Sequence, residues 1–523
     1  MRLIRRLAFA FGGVIILLLA AAWYDEAPDA EMLRQWEGRP RVADQDNFFL
    51  AAVGALGVAD APLHETGRAV LESPSASAGA TLRVPEAHRR FIDTVRASCW
   101  ATSADSGDLC SRMRLPDREV QPTERSMVER YLALRRYGAY RSEMRPDVFV
   151  VAPSALLDLH AVFIATRLTV ESGPVPQAAL EELVADIRFL RWALEASDTV
   201  LGRMIIVAVL QRDYRLAAEI VGQGGAKDVE ILRPVLEPLP ARAMDLSGTL
   251  AFEHDQKRML NNLVRQMLGR GEDPMQEFAT YLERPSPFAG PAWQRRLQAP
   301  WMKPEMSANA SLAAARAALG IAPVGRPLRV LDPVLNATNE KVQRFNTDDA
   351  AWGNWRNRLS DLDYYVRLVS LVGRMAGDES FDPARVAADW NAKLPAGTQA
   401  YRLGWDGKRS AFSFDPASDA WQERAKAAGH GVLVHVPPSL AQELETWRGF
   451  SARCRAVHCE LLAEGRAPIA VKPKMKLPAE TKAQYTVVGE VRAGKYVGIE
   501  YLAQENSGEW VMRQVRIRAA NAN

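Results

Sequence analysis

Two pairs of closely spaced carboxylates are the residues in this chain most suggestive of catalysis. Asp348 stands next to Asp349, and Asp361 lies two residues from Asp363. Glycoside hydrolysis uses two carboxyl groups across a sugar bond, so either pair could serve it. Acids at 348 and 349 also suit the first turn of a helix, where they oppose the positive end of the dipole. The second pair falls off an apolar helical seam and is predicted to face solvent, so we expect neither pair to be catalytic.

Histidine is the other common acid–base group, and one histidine stands between two acids. His254 follows Glu253 and precedes Asp255, so a carboxylate could orient it as a base. Adjacent positions of a helix do not face each other, which favours an ordinary half-buried histidine instead. His430 and His435 are five residues apart near a predicted strand. This odd offset puts them on opposite faces and disfavours a shared metal site.

The sequence carries no phosphate-binding loop, nucleophile elbow or zinc-protease motif. Trp390, Trp405 and Trp421 could stack on carbohydrate, but such residues more often anchor a core. The dense arginines between Arg112 and Arg145 are interspersed with acids, which predicts a solvated, paired helix face rather than a surface for an anionic partner. The sequence therefore assigns no catalytic, cofactor-binding or metal-ligating residue.

The four cysteines fall into two local pairs, Cys99 with Cys110 and Cys454 with Cys459. An even, locally paired count in an exported chain predicts two disulfides. A bond between Cys99 and a C-terminal cysteine stays open as an alternative. Cys454, His458 and Cys459 could instead bind a metal, but a structural zinc site uses four ligands and no second ligand pair lies nearby in the sequence.

The N-terminus has the pattern of a membrane anchor or an export signal. Three arginines precede an uncharged run at residues 7–23. Basic residues stay on the cytoplasmic side, so we expect an inner-membrane protein with its body in the periplasm. Trp23 and Tyr24 favour a retained anchor, because such rings settle at the membrane interface. Residues 20–22 could also form a cleavage site, which would release a soluble periplasmic protein.

The charge balance narrows the class of partner. A formal net charge of +3 over 523 residues is too close to neutral for a nucleic-acid surface. No nucleic-acid partner is expected. The predicted partners are the inner membrane, through residues 7–23, and an envelope protein.

Helical periodicity dominates the middle of the chain, and short connections between its helices predict antiparallel packing. Ser126 and Ser307 are predicted helix N-caps. The longest apolar seam, from Trp352 to Val369, alternates spacings of three and four residues. The predicted domains are an anchor or signal at 1–23, a juxtamembrane segment with a short helix and a linker at 24–84, and an α-helical body at 85–395.

Residues 396–523 are predicted to form a smaller α+β region. Residues 432–436 have strand character, and residues 484–518 alternate apolar and polar side chains in three runs separated by turn residues. That pattern predicts antiparallel strands with one buried face. The predicted fold class is therefore mainly α, with a body of helical hairpins followed by an α+β region that ends in an antiparallel sheet.

The layout of the anchor, the Asn47–Gly57 segment and the Cys99–Cys110 loop resembles uncharacterised single-anchor envelope proteins of GC-rich proteobacteria. The resemblance implies an inner-membrane anchor and a periplasmic body, and it carries over no activity and no functional residues. Because catalytic signatures are missing, the leading expectation is a non-enzymatic scaffold or partner-binding envelope protein. The alternatives are an envelope hydrolase with dispersed carboxylates and a carrier of lipid or small ligands with an apolar cavity.

Overall fold

The structure is a computed structural model, and it describes the chain in segments. These are residues 24–57, 61–72, 122–143, 153, 155–168, 175–222, 226–276, 285–322, 336, 338, 351–375, 383–395, 398–406, 411–428, 431–435, 450–455, 458–463, 469–471, 485–493, 496–504 and 510–518. The predicted anchor at 7–23, the Cys99–Cys110 pair, the Asp348–Asp349 pair and His430 lie outside these segments. The described chain is mainly helical, as predicted, and its strands all follow residue 402.

Three short helices open the described chain: α1 Ala30–Glu37, α2 Phe48–Gly54 and α3 Leu63–Glu72. Every residue of α2 is buried, and the Asn47 side chain caps the helix by accepting a hydrogen bond from the Phe49 N–H. Helices α2 and α3 pack with their backbones in contact. A β-carbon added to Gly67 would collide with the carbonyl oxygen of Leu50, so glycine is needed at this crossing.

Four helices follow and carry the candidate site: α4 Pro122–Leu134, α5 Ala155–Phe163, α6 Gln177–Ala196 and α7 Val200–Gly222. A π-helical turn, Ile164–Leu168, continues α5. Helix α6 forms because apolar residues recur every three or four positions, and Leu183, Ile187 and Leu190 of this stripe are buried. Helix α4 begins at Pro122, so the prediction that Ser126 caps it is wrong. Proline suits that first position because it lacks the N–H that would have no partner there.

The next helices are α8 Ala226–Leu232, α9 Ala241–Met244, α10 Ser247–Arg270, α11 Ala292–Gln298 and α12 Pro304–Ala318. Short 3-10 turns occupy Arg233–Val235 and Ala299–Trp301. The long helix α10 packs against α1, α11 and α12.

The predicted cap of α12 is also wrong, because Ser307 lies inside the helix and is buried. The Ser307 hydroxyl accepts a hydrogen bond from the Asn336 side chain. The first-turn N–H groups of Glu305 and Met306 donate instead to the carboxylate of Asp25. An acid from a distant segment thus accepts the hydrogen bonds of the first N–H groups of this helix. A local sequence pattern does not reveal such a partner.

The last helices are α13 Ala351–Met375, α14 Pro383–Asn391 and α15 Asp419–Ala428. The predicted apolar seam of α13 is confirmed, because Leu359, Leu362 and Val366 are fully buried. The rings of Trp352 and Trp355 meet edge to face, with centroids 5.0 Å apart.

The strands form three antiparallel sheets of three strands each. They are β1 Leu403–Asp406, β2 Ala411–Phe414, β3 Val432–His435, β4 Phe450–Arg455, β5 His458–Ala463, β6 Ile469–Val471, β7 Tyr485–Ala493, β8 Tyr496–Gln504 and β9 Trp510–Arg518. Strands β7 to β9 confirm the predicted C-terminal sheet, and β3 confirms the predicted strand near 432. The sequence did not predict β1, β2 or β4 to β6, which have three to six residues each.

The chain divides into two compact units. The first comprises Met1–Ala217, Ile231–Arg367 and Asp415–Gly431, and the second comprises Ala218–Glu230, Leu368–Phe414 and Val432–Asn523. The boundaries expected at residues 84 and 395 stay predictions. Within the described segments, no helix combines the length and apolar character that a membrane crossing demands.

Candidate functional site in the helical core

One histidine and two aspartates meet in the core of the first unit. His160 lies on α5, Asp186 on α6 and Asp213 on α7, and none of the three side chains is exposed. Nε2 of His160 lies 2.8 Å from Oδ1 of Asp213 and 3.4 Å from Oδ2 of Asp186. A single imidazole nitrogen therefore links three helices.

Each of these polar residues occupies a position that the helix periodicity assigns to the core. Asp186 stands three residues after Leu183 and four before Leu190, both buried. The neighbours of His160 at helical spacing, Leu156 and Phe163, are also fully buried. The helices must therefore place these groups away from water, where charged groups are stable only when they are paired and hydrogen-bonded.

Helix α4 completes the network on the far side of Asp186. The Tyr131 hydroxyl lies 2.9 Å from Oδ1 and 3.0 Å from Oδ2 of Asp186. The Arg135 guanidinium donates a hydrogen bond of 2.7 Å to Oδ1. We call Tyr131, Arg135, His160, Asp186 and Asp213 the core network. It connects four helices, and it places one arginine and one imidazole against two carboxylates.

Burial and charge set the protonation of the core network. Burial opposes the charged form of His160, but the charge of Asp213 and hydrogen bonds to both aspartates outweigh it and raise the pKa of the imidazole. Burial raises the pKa of Asp213 to about 7. Asp186 is also buried, yet its hydrogen bond to His160 and the charges of His160 and Arg135 lower its pKa.

The pKa of Asp213 is about 7, and the 2.8 Å distance from its Oδ1 to Nε2 of His160 couples its titration to that of the imidazole. Strongly coupled groups titrate as a pair, so a proton bound there belongs to the pair rather than to either residue.

The same three residues also have the geometry of a metal site. One ligand atom from each of His160, Asp186 and Asp213 lies within 4.8 Å of the others. Imidazole and carboxylate ligands would suit a divalent transition metal. However, Asp186 already accepts hydrogen bonds from Tyr131 and Arg135, and the arginine charge would repel a cation. The contacts fit a shared proton better than a metal ion.

The core network is not fully satisfied. Among the described residues, neither Nδ1 of His160 nor Oδ2 of Asp213 has a hydrogen-bond partner. An unsatisfied buried polar atom costs roughly 1–3 kcal/mol. The network therefore holds four helices together at some expense of stability, as buried ionic groups commonly do.

The structure corrects the prediction for the second carboxylate pair, because both aspartates are buried. Asp361 is fully buried and accepts hydrogen bonds from the Ala417 and Ser418 N–H groups ahead of α15. Asp363 accepts a hydrogen bond from the Leu239 N–H and pairs with Arg367. Both carboxylates hold backbone segments in place, and the predicted exposure was wrong.

His254 is buried rather than half-buried, as it is only 5 % exposed. Its Nε2 lies 3.1 Å from Oδ1 of Asn309, and the charges of Asp29 and Asp255 act on the ring from farther away. Burial lowers the pKa of this imidazole. The neighbouring acids point elsewhere, since Glu253 accepts a hydrogen bond from the Val200 N–H and Asp255 pairs with Arg258.

The arginine-rich stretch includes a residue that the sequence placed wrongly. Arg130 is 8 % exposed, and its guanidinium donates hydrogen bonds to the carbonyl groups of Gly54 and Ala55 at the end of α2. It therefore binds the open C-terminus of a helix, where a cation is favoured. A solvated, paired position was predicted for it.

The tryptophans considered for sugar stacking make contacts within the protein. Trp421 is 2 % exposed and its ring meets that of Tyr365 edge to face. Trp390 donates a hydrogen bond to the Tyr401 carbonyl group, and Trp405 packs against Phe412. These contacts favour the interpretation as structural anchors.

The C-terminal cysteines are register partners. Cys454 on β4 pairs with Cys459 on β5, next to the pair Arg455 and His458. Only two residues separate the paired strands. The backbone register is consistent with the predicted local disulfide, which stays a prediction.

A surface groove between α3 and α4 is the second place where polar groups converge. It has a volume of about 490 Å³, and His64 and Tyr137 line it, with Nδ1 of the histidine 3.3 Å from the tyrosine hydroxyl. Among the described residues that line it, Glu129 is the one carboxylate.

The sequence analysis missed the core network entirely. A signal was present, because Asp186 falls within the apolar stripe of α6 and Asp213 lies three residues after buried Leu210. A carboxylate on the buried face of a predicted helix requires a partner. Which helix would provide that partner is a property of tertiary packing, and the one-dimensional pattern does not contain it.

Comparison with known proteins gives no match, whether to a family model, to a curated protein or to a solved structure.

Proposed function

We propose that the chain is a membrane-tethered envelope protein whose helical body is a non-enzymatic scaffold that binds an envelope partner. The observation that carries this proposal is the sealed core network. His160, Asp186 and Asp213 are unexposed and pair with one another across three helices, so none of them is presented at the surface to a substrate. The strongest acid–base cluster of the described chain thus serves to join helices.

The start of the described chain supports a tether held close to the body. Asp25 caps α12, and Glu26 accepts a hydrogen bond from the Asn309 side chain. One residue, Tyr24, separates these two acids from the predicted anchor at 7–23. A body that is bound to the chain so near the bilayer suits a protein that presents a folded surface at a fixed distance from the membrane.

The two alternative functions have less support from the contacts. An envelope hydrolase would need convergent, accessible carboxylates, whereas Asp361 and Asp363 are buried and occupied by backbone N–H groups. A carrier of lipid or small ligands would need a continuous apolar cavity, whereas the described groove is lined by Glu129, Arg136 and other polar groups.

The test is chemical crosslinking in intact cells that express the full chain with a C-terminal affinity tag. The matched control carries residues 1–26 fused to an unrelated periplasmic domain, so that it reproduces the tether without the body. We expect one envelope protein to be captured reproducibly by the full chain and not by the control. Repeated failure to capture such a partner would count against the scaffold, and hydrolysis of purified cell-wall glycan by the chain would favour the enzyme instead.

A further inference from the structure

Helix α11 carries the most exposed large apolar side chains of the described chain. Trp293 is 63 % exposed and Leu297 is 64 % exposed. Residues four apart lie on the same side of a helix, so these two side chains form one apolar face. We call Trp293 and Leu297 the α11 face.

The α11 face lies at the C-terminal end of α10. Arg295 donates a hydrogen bond to the carbonyl group of Gly271, and Arg296 donates one to the carbonyl group of Arg270. Behind α11, an apolar cluster joins α10 to the segment that follows α11; it comprises Val264, Leu268, Met275, Phe288, Ala299 and Met302. The helix is therefore fixed in place, and its outer side is left uncovered by the described residues.

Helix α12 starts beside the middle of α10, about 18 Å before the end of α10 that α11 covers. His254 on α10 contacts Asn309 on α12. One turn later on α10, Arg258 lies 3.6 Å from Glu305, which is one turn earlier on α12. The two helices are thus antiparallel. The N-terminus of α12 points toward the end of α10 that α11 covers.

The chain that leaves the predicted anchor is bound at this N-terminus. Asp25 accepts hydrogen bonds from the N–H groups of Glu305 and Met306. It stands two residues after Trp23, and two residues of extended chain span at most about 7 Å. If residues 7–23 cross the bilayer, the start of α12 lies close to the membrane surface, and α11 lies farther along α10 in the direction in which the N-terminus of α12 points.

We infer that the α11 face rests on the surface of the bilayer that holds residues 7–23. The inference relies on the proposed tether and adds a contact between the body and the lipid. Tryptophan favours the interface, where its ring is amphipathic, and leucine can enter the acyl boundary. Arg296 is exposed and stands three residues after Trp293, on the same side of the helix, and cations are attracted to anionic headgroups. The contact would fix the orientation of the body at the membrane.

Photo-crosslinking with the full chain tests this contact. Para-benzoylphenylalanine replaces Trp293 in one variant and Ile321 in a control. Ile321 is 43 % exposed and follows the opposite end of α12, about 22 Å from its start. Both variants are reconstituted in vesicles of phosphatidylethanolamine and phosphatidylglycerol, irradiated, and analysed by peptide mass spectrometry. We expect several-fold more phospholipid adduct at position 293 than at position 321.

Other results would overturn the inference. Equal lipid adduct at both positions, no lipid adduct at position 293, or an adduct there with a second protein would each show that the α11 face does not rest on lipid. Carbonate extraction of the same vesicles separately tests whether the chain is anchored in the membrane. Release of the unmodified chain by carbonate would refute the proposed anchor, whereas retention without a lipid adduct would refute the α11 contact alone.

Discussion

Substitution Asp186→Asn is the sharpest perturbation of the core network. It keeps the shape of the side chain but removes the negative charge that Arg135 and His160 face. It also gives the Tyr131 hydroxyl an amide in place of a carboxylate as its partner. The positive charges of Arg135 and His160 are then balanced by one carboxylate fewer.

The structure indicates how large the effect should be. Removing one partner of a buried ion pair costs roughly 3–5 kcal/mol, because the remaining charge is buried without compensation. The Arg135 side chain is 19 % exposed, so its guanidinium can turn partly toward water. We therefore expect a loss at the lower end, about 3 kcal/mol in the free energy of unfolding.

Urea unfolding of the reconstituted full chain, followed by circular dichroism, measures this loss. Glu181→Gln is the matched control, because Glu181 is an exposed acid on the same helix that contacts the Gln177 side chain. Its effect should stay within about 0.5 kcal/mol. If Asp186→Asn were as stable as the control, the core network would not hold the helices together and the structural interpretation of the site would fail.

Three further predictions follow from the same contacts. Stability should fall as the pH rises from about 5 to about 8, since the folded state binds a proton at Asp213 that the unfolded chain has released; burial raises this pKa to about 7. Over that pH range, the urea midpoint of Asp213→Asn should change less with pH than the midpoint of the unmodified chain. An equal pH dependence in both would assign the effect to other acids, such as Glu253. Neither EDTA nor zinc should shift the melting temperature, because Tyr131 and Arg135 already occupy Asp186; a rise of several degrees with zinc would indicate a metal site instead. Mass spectrometry without reductant should find a disulfide bond between Cys454 and Cys459. These cysteines are the second pair of facing residues, counted from the two-residue connection between β4 and β5. Such a pair is non-hydrogen-bonded, with Cα atoms about 4.5 Å apart and within disulfide range; a bond from either cysteine to Cys99 would contradict this pairing.

The sequence predicts an element well where one face of that element is buried over many residues. The seam of α13 and the stripe of α6 repeat over several turns, and both appear in the structure as buried rows. The C-terminal strands β7 to β9 are nine residues each, long enough for alternation to be recognised. Local pattern and tertiary packing agree in these elements, so the prediction holds.

The sequence fails where a partner comes from far along the chain. Ser307 matched the local rule for a helix cap, yet Asp25, some 280 positions away, provides the cap. Asp361 fell off the apolar seam and was expected to face water, yet the N–H groups of residues 417 and 418 turn toward it. The core network is the strongest case, since it joins four helices whose arrangement no local pattern encodes.

The central claim is that residues 7–23 carry the rest of the chain across a membrane. Fusions of alkaline phosphatase and of green fluorescent protein to the C-terminus test it directly, because the first is active only after export and the second fluoresces only when it stays in the cytosol. We predict an active phosphatase fusion and a dark fluorescent fusion. A bright fluorescent fusion with an inactive phosphatase would contradict the tether, and with it the envelope scaffold.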